Sequence, residues 1–238
     1  MDTSAFLDIL LSTDNPVLPS STAMRVALHL LWAIVLGSGA LLIAGKLARP
    51  YRLGLSFLVI AWTLMPGPMS PSYWLGLAFQ TPSLMSGAIC LGWFLGQARR
   101  TAGTGASMAG PHEDARRILA WVGVGLGWVL LLDTLAWLPV SIYAWGFSSA
   151  AFGTVLVFAM LLWVLFGATG TNRKASHLAA FVLPLLVLTL FLLTRLPTGN
   201  VWDALLDPWL WGVLQFGWLV SVVRRLTAGG RALPATRV

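Results

Sequence analysis

The chain reads as an all-α membrane protein, a bundle of about seven transmembrane helices with the N-terminus outside and the C-terminus in the cytoplasm. Three observations predict this. Of its 238 residues, 58% are hydrophobic and only 10% are charged, where a soluble domain carries about 25% charged residues. The apolar residues gather into seven long runs separated by polar or proline-rich breaks. The basic residues then fall almost entirely on one side of the resulting topology.

The elements follow in chain order. Residues 1–21 hold Asp2, Asp8 and Asp14 and no basic residue. Their apolar stretch, Phe6 to Leu11, is too short for a secretory signal, so they are expected to stay as an external segment. The transmembrane domain covers 22–225. Its first span is about 22–45, and the second, about 51–66, is stopped by Met65-Pro66-Gly67-Pro68. The third covers about 82–98 and the fourth about 118–138. The fifth covers about 150–169, the sixth about 177–195 and the seventh about 207–224. A hydrocarbon layer ~30 Å thick asks for runs of this kind. Residues 226–238 form a basic cytoplasmic tail.

Charge gives an independent check. Lys46, Arg49, Arg52, Arg99, Arg100, Arg116, Arg117, Arg173, Lys174, Arg224, Arg225, Arg231 and Arg237 share one side, leaving Arg25 and Arg195 for the other. The basic side is cytoplasmic by the positive-inside rule. A miscounted helix would scramble this partition. The expected location is therefore the inner (cytoplasmic) membrane of a bacterium, with the lipid bilayer as the main partner. The net charge of +7 does not point to nucleic acid, because the basic residues are small clusters between apolar runs rather than one soluble face.

The three outward hairpins share a pattern. A helix ends in Leu-Pro or Met-Pro, and an aromatic stretch follows: Met65-Pro66 with Tyr73-Trp74, Leu138-Pro139 with Tyr143 and Trp145, Leu196-Pro197 with Trp202. This fits a degenerate repeat, and it equally fits three proline-stopped helices with interfacial tryptophans. Within residues 66–82 the apolar stretch from Tyr73 to Phe79 is too short to cross and reads as interfacial or re-entrant.

Few residues are suited to chemistry. Arg25 and His29 are four apart on one helix face. Asp133 lies six residues before Pro139, about 9 Å from that end of its helix and at a depth similar to His29. Ionisable groups at membrane depth face protein or water. Asp133 is therefore expected to pair with His29 or Arg25 in an outward pocket, with Arg195, Asp203 and Asp207 at its mouth and Trp74, Trp145 and Trp202 around it. Gly37, Gly39, Gly92, Gly96, Gly123 and Gly127 are expected to serve close helix packing.

The stretch Arg25-Val-Ala-Leu-His29 with Gly37-Ser-Gly39 resembles the opening helix of CopD-type copper-resistance membrane proteins. That resemblance would imply copper handling, and Met65, Met69, Met85, Cys90 and His29 are ligands of the type Cu(I) accepts. It covers one helix, with no paired-histidine pattern elsewhere, so no metal site is expected. Haem is not expected either, since His112 and His177 fall in or beside cytoplasmic loops. A lone Cys90 cannot form an intrachain disulfide. No nucleophile elbow, HExxH or phosphate loop is present, so no enzyme activity is expected. Two functions remain. One is a non-catalytic accessory or assembly subunit whose aromatic outer face docks another membrane or periplasmic protein. The alternative is a small transporter of solute, proton or metal through the His29 and Asp133 pocket.

Overall fold

Side-chain caps and prolines set where the helices begin. The computed structural model describes residues 16–101, 113–167 and 174–229. Residues 1–15, 102–112 with His112, 168–173 with Arg173, and 230–238 lie outside the described residues. Within them the regular structure is entirely helical.

The first helix, α1 (Ser21–Ile43), is capped by Ser20, whose hydroxyl accepts the Ala23 N–H at 3.2 Å. A 3-10 turn at Ala44–Lys46 leads to α2 (Arg49–Thr63). Then come α3 (Pro71–Phe79), α4 (Leu84–Thr101), α5 (Glu113–Thr134) and α6 (Ile142–Trp145). The chain continues through α7 (Ser149–Gly167), α8 (Lys174–Thr194), α9 (Val201–Leu205) and α10 (Pro208–Gly229). Ser70, Ser83, Ser148, Asn200 and Asp207 each cap the helix that follows by accepting a first-turn N–H. Such acceptors satisfy donors that the helix itself leaves unpaired.

Each of the seven apolar runs coincides with one long helix, and each of the three proline-led hairpins carries one short helix: α3, α6 and α9. Two of the helices, spanning Ser21–Lys46 and Arg117–Thr134, are long and apolar enough to cross a membrane by length and composition.

Packing runs through α1 and α8. α1 lies against α2 and α4; α4 and α7 lie against α8; α5 pairs with α10. The buried core joins Leu31, Leu84, Val187, Leu188, Phe191, Val201 and Trp202. Glycines set the closest approaches. A Cβ on Gly37 would fall 2.5 Å from Ile60, on Gly123 2.7 Å from Leu214, and on Gly127 2.2 Å from the Trp211 ring. Gly39, Gly92 and Gly96 face open space instead, which corrects their expected role in packing. Gly87 and Gly76 take that role, against Leu31 and Leu28.

The α5–α10 seam is an indole ladder. Trp128 meets Trp211 edge to face at 5.4 Å, and Trp121 meets Trp218 at 5.7 Å. Seven residues separate the two tryptophans on each helix, two turns apart on one face. The bundle's flanks are apolar: Phe57 and Leu58 on α2, Val157 and Leu161 on α7, Leu186 and Leu193 on α8, and Val213 and Phe216 on α10 are all exposed.

Candidate functional site

The polar side chains converge where α2, α5 and α8 end and α4, α7 and α10 begin. Three clusters tie these ends together. In the first, the Ser70 and Ser72 hydroxyls donate to the Thr63 carbonyl at 2.7 and 2.9 Å, closing the turn between α2 and α3. All three side chains are fully buried.

The second cluster centres on Asp207, 8% exposed. Its Oδ1 accepts the Leu210 N–H at 2.8 Å, capping α10. Its Oδ2 accepts the Ser83 N–H at 2.8 Å and the hydroxyls of Ser83 and Ser86 at the start of α4. One carboxylate thus serves two helix N-termini, each carrying partial positive charge from its unpaired N–H groups. Among the described residues the charge is answered by these dipoles rather than by a cation.

The third cluster is organised by Tyr143 in α6. Its N–H donates to Asp133 Oδ2 at 2.6 Å, its hydroxyl donates to Asp203 Oδ2 at 2.9 Å, and its carbonyl accepts from Asn200 Nδ2 at 2.9 Å. Thr198 donates to the same Asp203 oxygen. The Trp202 indole donates to the Ile142 carbonyl at 2.8 Å, and the Val201 N–H to the Gly146 carbonyl at 3.1 Å. Residues 200–203 are therefore bound to residues 142–146 by four hydrogen bonds. Gly199, at φ +89°, lets the chain turn where a Cβ would press within 3.0 Å of the Val17 carbonyl.

Burial pushes the Asp203 carboxyl above the usual range, partly offset by the Thr198 and Tyr143 hydroxyls that favour its charged form. The Tyr143 phenol is pushed up too, first by burial and then by the neighbouring Asp203 charge.

The expected pocket takes a different form. Asp133 bonds the Tyr143 N–H. His29 Nδ1 lies 2.9 Å from the Arg25 carbonyl, and Arg25 Nε donates to the Ser21 carbonyl at 3.5 Å. Among the described residues, Asp133 makes no ion pair with either. The helix stops at Thr134, short of Pro139, so Asp133 lies in its last turn rather than about 9 Å inside it. Its carboxylate reaches the backbone of the following loop, while histidine and arginine fold back onto their own helix carbonyls.

The three tryptophans also separate. Trp74 is 60% exposed and its indole donates to the Pro68 carbonyl at 2.7 Å. Trp145 and Trp202 meet, ring centres 6.1 Å apart. Among the described residues no group of three or more His, Cys, Asp or Glu side chains comes together as a metal site. Asn200, Ser83 and Ser86 were not legible as site residues, although Ser83-x-x-Ser86 and Asp207-Pro208 carry a helix-start signature.

No protein-family model, characterised protein or solved structure matches this chain.

Proposed function

We propose that this chain is a multi-pass inner-membrane protein that serves as a non-catalytic accessory or assembly subunit of a membrane complex. In this reading its seven long helices span the bilayer, the N-terminus lies outside, and the basic ends face the cytoplasm. The apolar flanks support lipid as their solvent, since a soluble exterior of this kind would aggregate.

One observation carries the subunit role. The acidic side chains at the outer end bond to the protein's own backbone and hydroxyls, while large apolar groups at the same end stay exposed. Trp137 is 74% exposed, Trp74 60% and Trp209 49%. Indoles with one polar edge suit an interface between lipid headgroups and a partner's surface. The transporter alternative needs His29 and Asp133 free to meet a solute, and both already hold backbone partners.

The reading is tested by affinity purification of the tagged chain from its native membrane in mild detergent. A stoichiometric partner is expected, retained by Asp133→Asn and weakened by Trp137→Ser. Purification of the chain alone would refute it. Orientation is tested in a Cys90→Ala background: an impermeant maleimide should label Ser141→Cys from outside and Ser107→Cys only after the cytoplasmic face is opened.

A further inference from the structure

The helix α8 carries two apolar faces. Val187, Leu188 and Phe191 on one face belong to the core. On the other, Val182, Leu185, Leu186, Thr189, Leu190 and Leu193 line an open apolar cleft of about 550 Å³. Their spacing of three and four keeps them on one stripe of the helix. Thr189 does not make the stripe polar, because its hydroxyl donates to the Leu185 carbonyl at 2.8 Å. The stripe reaches the C-terminal end of α8, where Leu193 is 77% exposed.

The N-terminal side of the chain arrives at that same end. The Gly199 N–H donates to the Arg195 carbonyl at 2.8 Å, which holds Gly199 one residue past the end of α8. A Cβ on Gly199 would lie 3.0 Å from the Val17 carbonyl and 3.0 Å from the Leu18 side chain. Val17 and Leu18 therefore rest beside the α8 terminus, and both are exposed apolar residues. Residues 1–15 lie outside the described residues, and they join the chain at this point.

What they carry matches the cleft. Placed on a helical period, Phe6, Leu7, Leu10 and Leu11 share one face, with Asp8 and Ser12 on the other. Phe6 to Leu11 in helical form is about 9 Å long, and Leu186 to Leu193 rises about 10 Å. The chain from Leu11 to Val17 reaches up to about 20 Å, enough to bring Leu11 over Leu193 from the Gly199 contact. The charges agree as well. The segment holds Asp2, Asp8 and Asp14 and no basic side chain. Arg195 stands two residues beyond Leu193, its guanidinium 5.5 Å from the centre of the Phe191 ring.

We infer that the α8 cleft is the docking site of this chain's own N-terminal segment, whose Phe6, Leu7, Leu10 and Leu11 face covers Leu186, Leu190 and Leu193. The segment is a strap across the end of the bundle, with Asp14 brought toward Arg195. Its attachment at Val17 makes the docking intramolecular, an advantage in effective concentration over a second copy. The inference does not depend on the subunit reading.

The test combines Leu10→Cys and Leu190→Cys in a Cys90→Ala background and oxidises the full chain in mild detergent with copper phenanthroline. A disulfide within one chain is expected, read as a linked 10–190 peptide from the monomer band of a non-reducing gel. Leu10→Cys with Val213→Cys, on the exposed flank of α10, is the control and should link several-fold less. Adding Phe6→Asp and Leu7→Asp should lower the 10–190 yield several-fold. A 10–190 bond found only in dimers places a second copy in the cleft, and a yield no higher than the control leaves the cleft to lipid. Either result overturns the inference, and so does a yield unchanged by the two aspartates. Leu7→Cys with Leu186→Cys repeats the test at a second contact, so that a variant failing to fold, as read by far-ultraviolet dichroism, does not decide the outcome.

Discussion

Replacing Asp207 with alanine removes the acceptor of four hydrogen bonds at two helix starts. The Ser83 and Ser86 hydroxyls already lie 3.0 Å apart and can re-pair, so their loss is discounted. What remains is the α10 cap, worth about 1 kcal/mol. The buried Ser83 N–H left without a partner adds about 1–3 kcal/mol. The lost attraction between the carboxylate and two helix N-termini adds about 0.5–1 kcal/mol each. The sum is a destabilisation of roughly 3–6 kcal/mol. Asparagine should cost less, about 1–3 kcal/mol, because its one carbonyl can serve one helix start but not both. The assay is equilibrium unfolding by sodium dodecyl sulfate in mixed micelles, followed by tryptophan emission and helical dichroism. If alanine stays within about 1 kcal/mol of the wild type, or if asparagine is as damaging as alanine, the two-helix capping role of Asp207 is wrong.

Other outcomes follow from packing and charge. Gly127→Ala places a Cβ 2.2 Å from the Trp211 ring and should cost about 1–3 kcal/mol. Gly92→Ala enters open space and should gain about 0.5–1 kcal/mol from helix propensity; similar effects in the same unfolding assay would refute the contrast. Asp203 has a native pKa raised above 3.8, so the folded state binds its proton more tightly than the unfolded one. Its contribution to stability is fully present below 3.8 and is lost as pH rises through the raised native value. Unfolding measured in steps across that window should show stability falling with rising pH, and Asp203→Asn should flatten the slope. A wild-type slope of the opposite sign, or one that survives the substitution, would remove the burial argument.

The legible part of the fold is the part that depends on local composition. Long apolar runs, ended by Met65-Pro66 and Leu196-Pro197, marked the long helices, because proline cannot continue a helix and apolar residues gather on buried or lipid-facing surfaces. The α5 helix stops sooner, at Thr134, five residues ahead of Pro139. The short stretch that became α3 was recognisable as too short to span. The site was only partly legible. Asp133, Trp145 and Trp202 share the polar end where α5 stops and α7 begins, but the pairing expected of Asp133 with His29 or Arg25 did not form. Similar depth along two helices says nothing about which faces meet, and the Tyr143 N–H, ten residues along the chain, was within reach.

The amino-acid sequence by itself determined that the chain is helical, roughly where each long helix runs, and which ends carry the basic residues. Those are properties of composition read over a few turns. Only the tertiary structure decided that Gly37, Gly123 and Gly127 meet neighbours while Gly39, Gly92 and Gly96 do not, since that depends on which stripe of each helix faces another. It also decided that Asp207 bridges to Ser83 across 124 positions of chain and that Tyr143 joins Asp133 to Asp203. A buried carboxylate takes whatever donors the packed backbone brings within about 3 Å, and that selection is made in space, not along the chain.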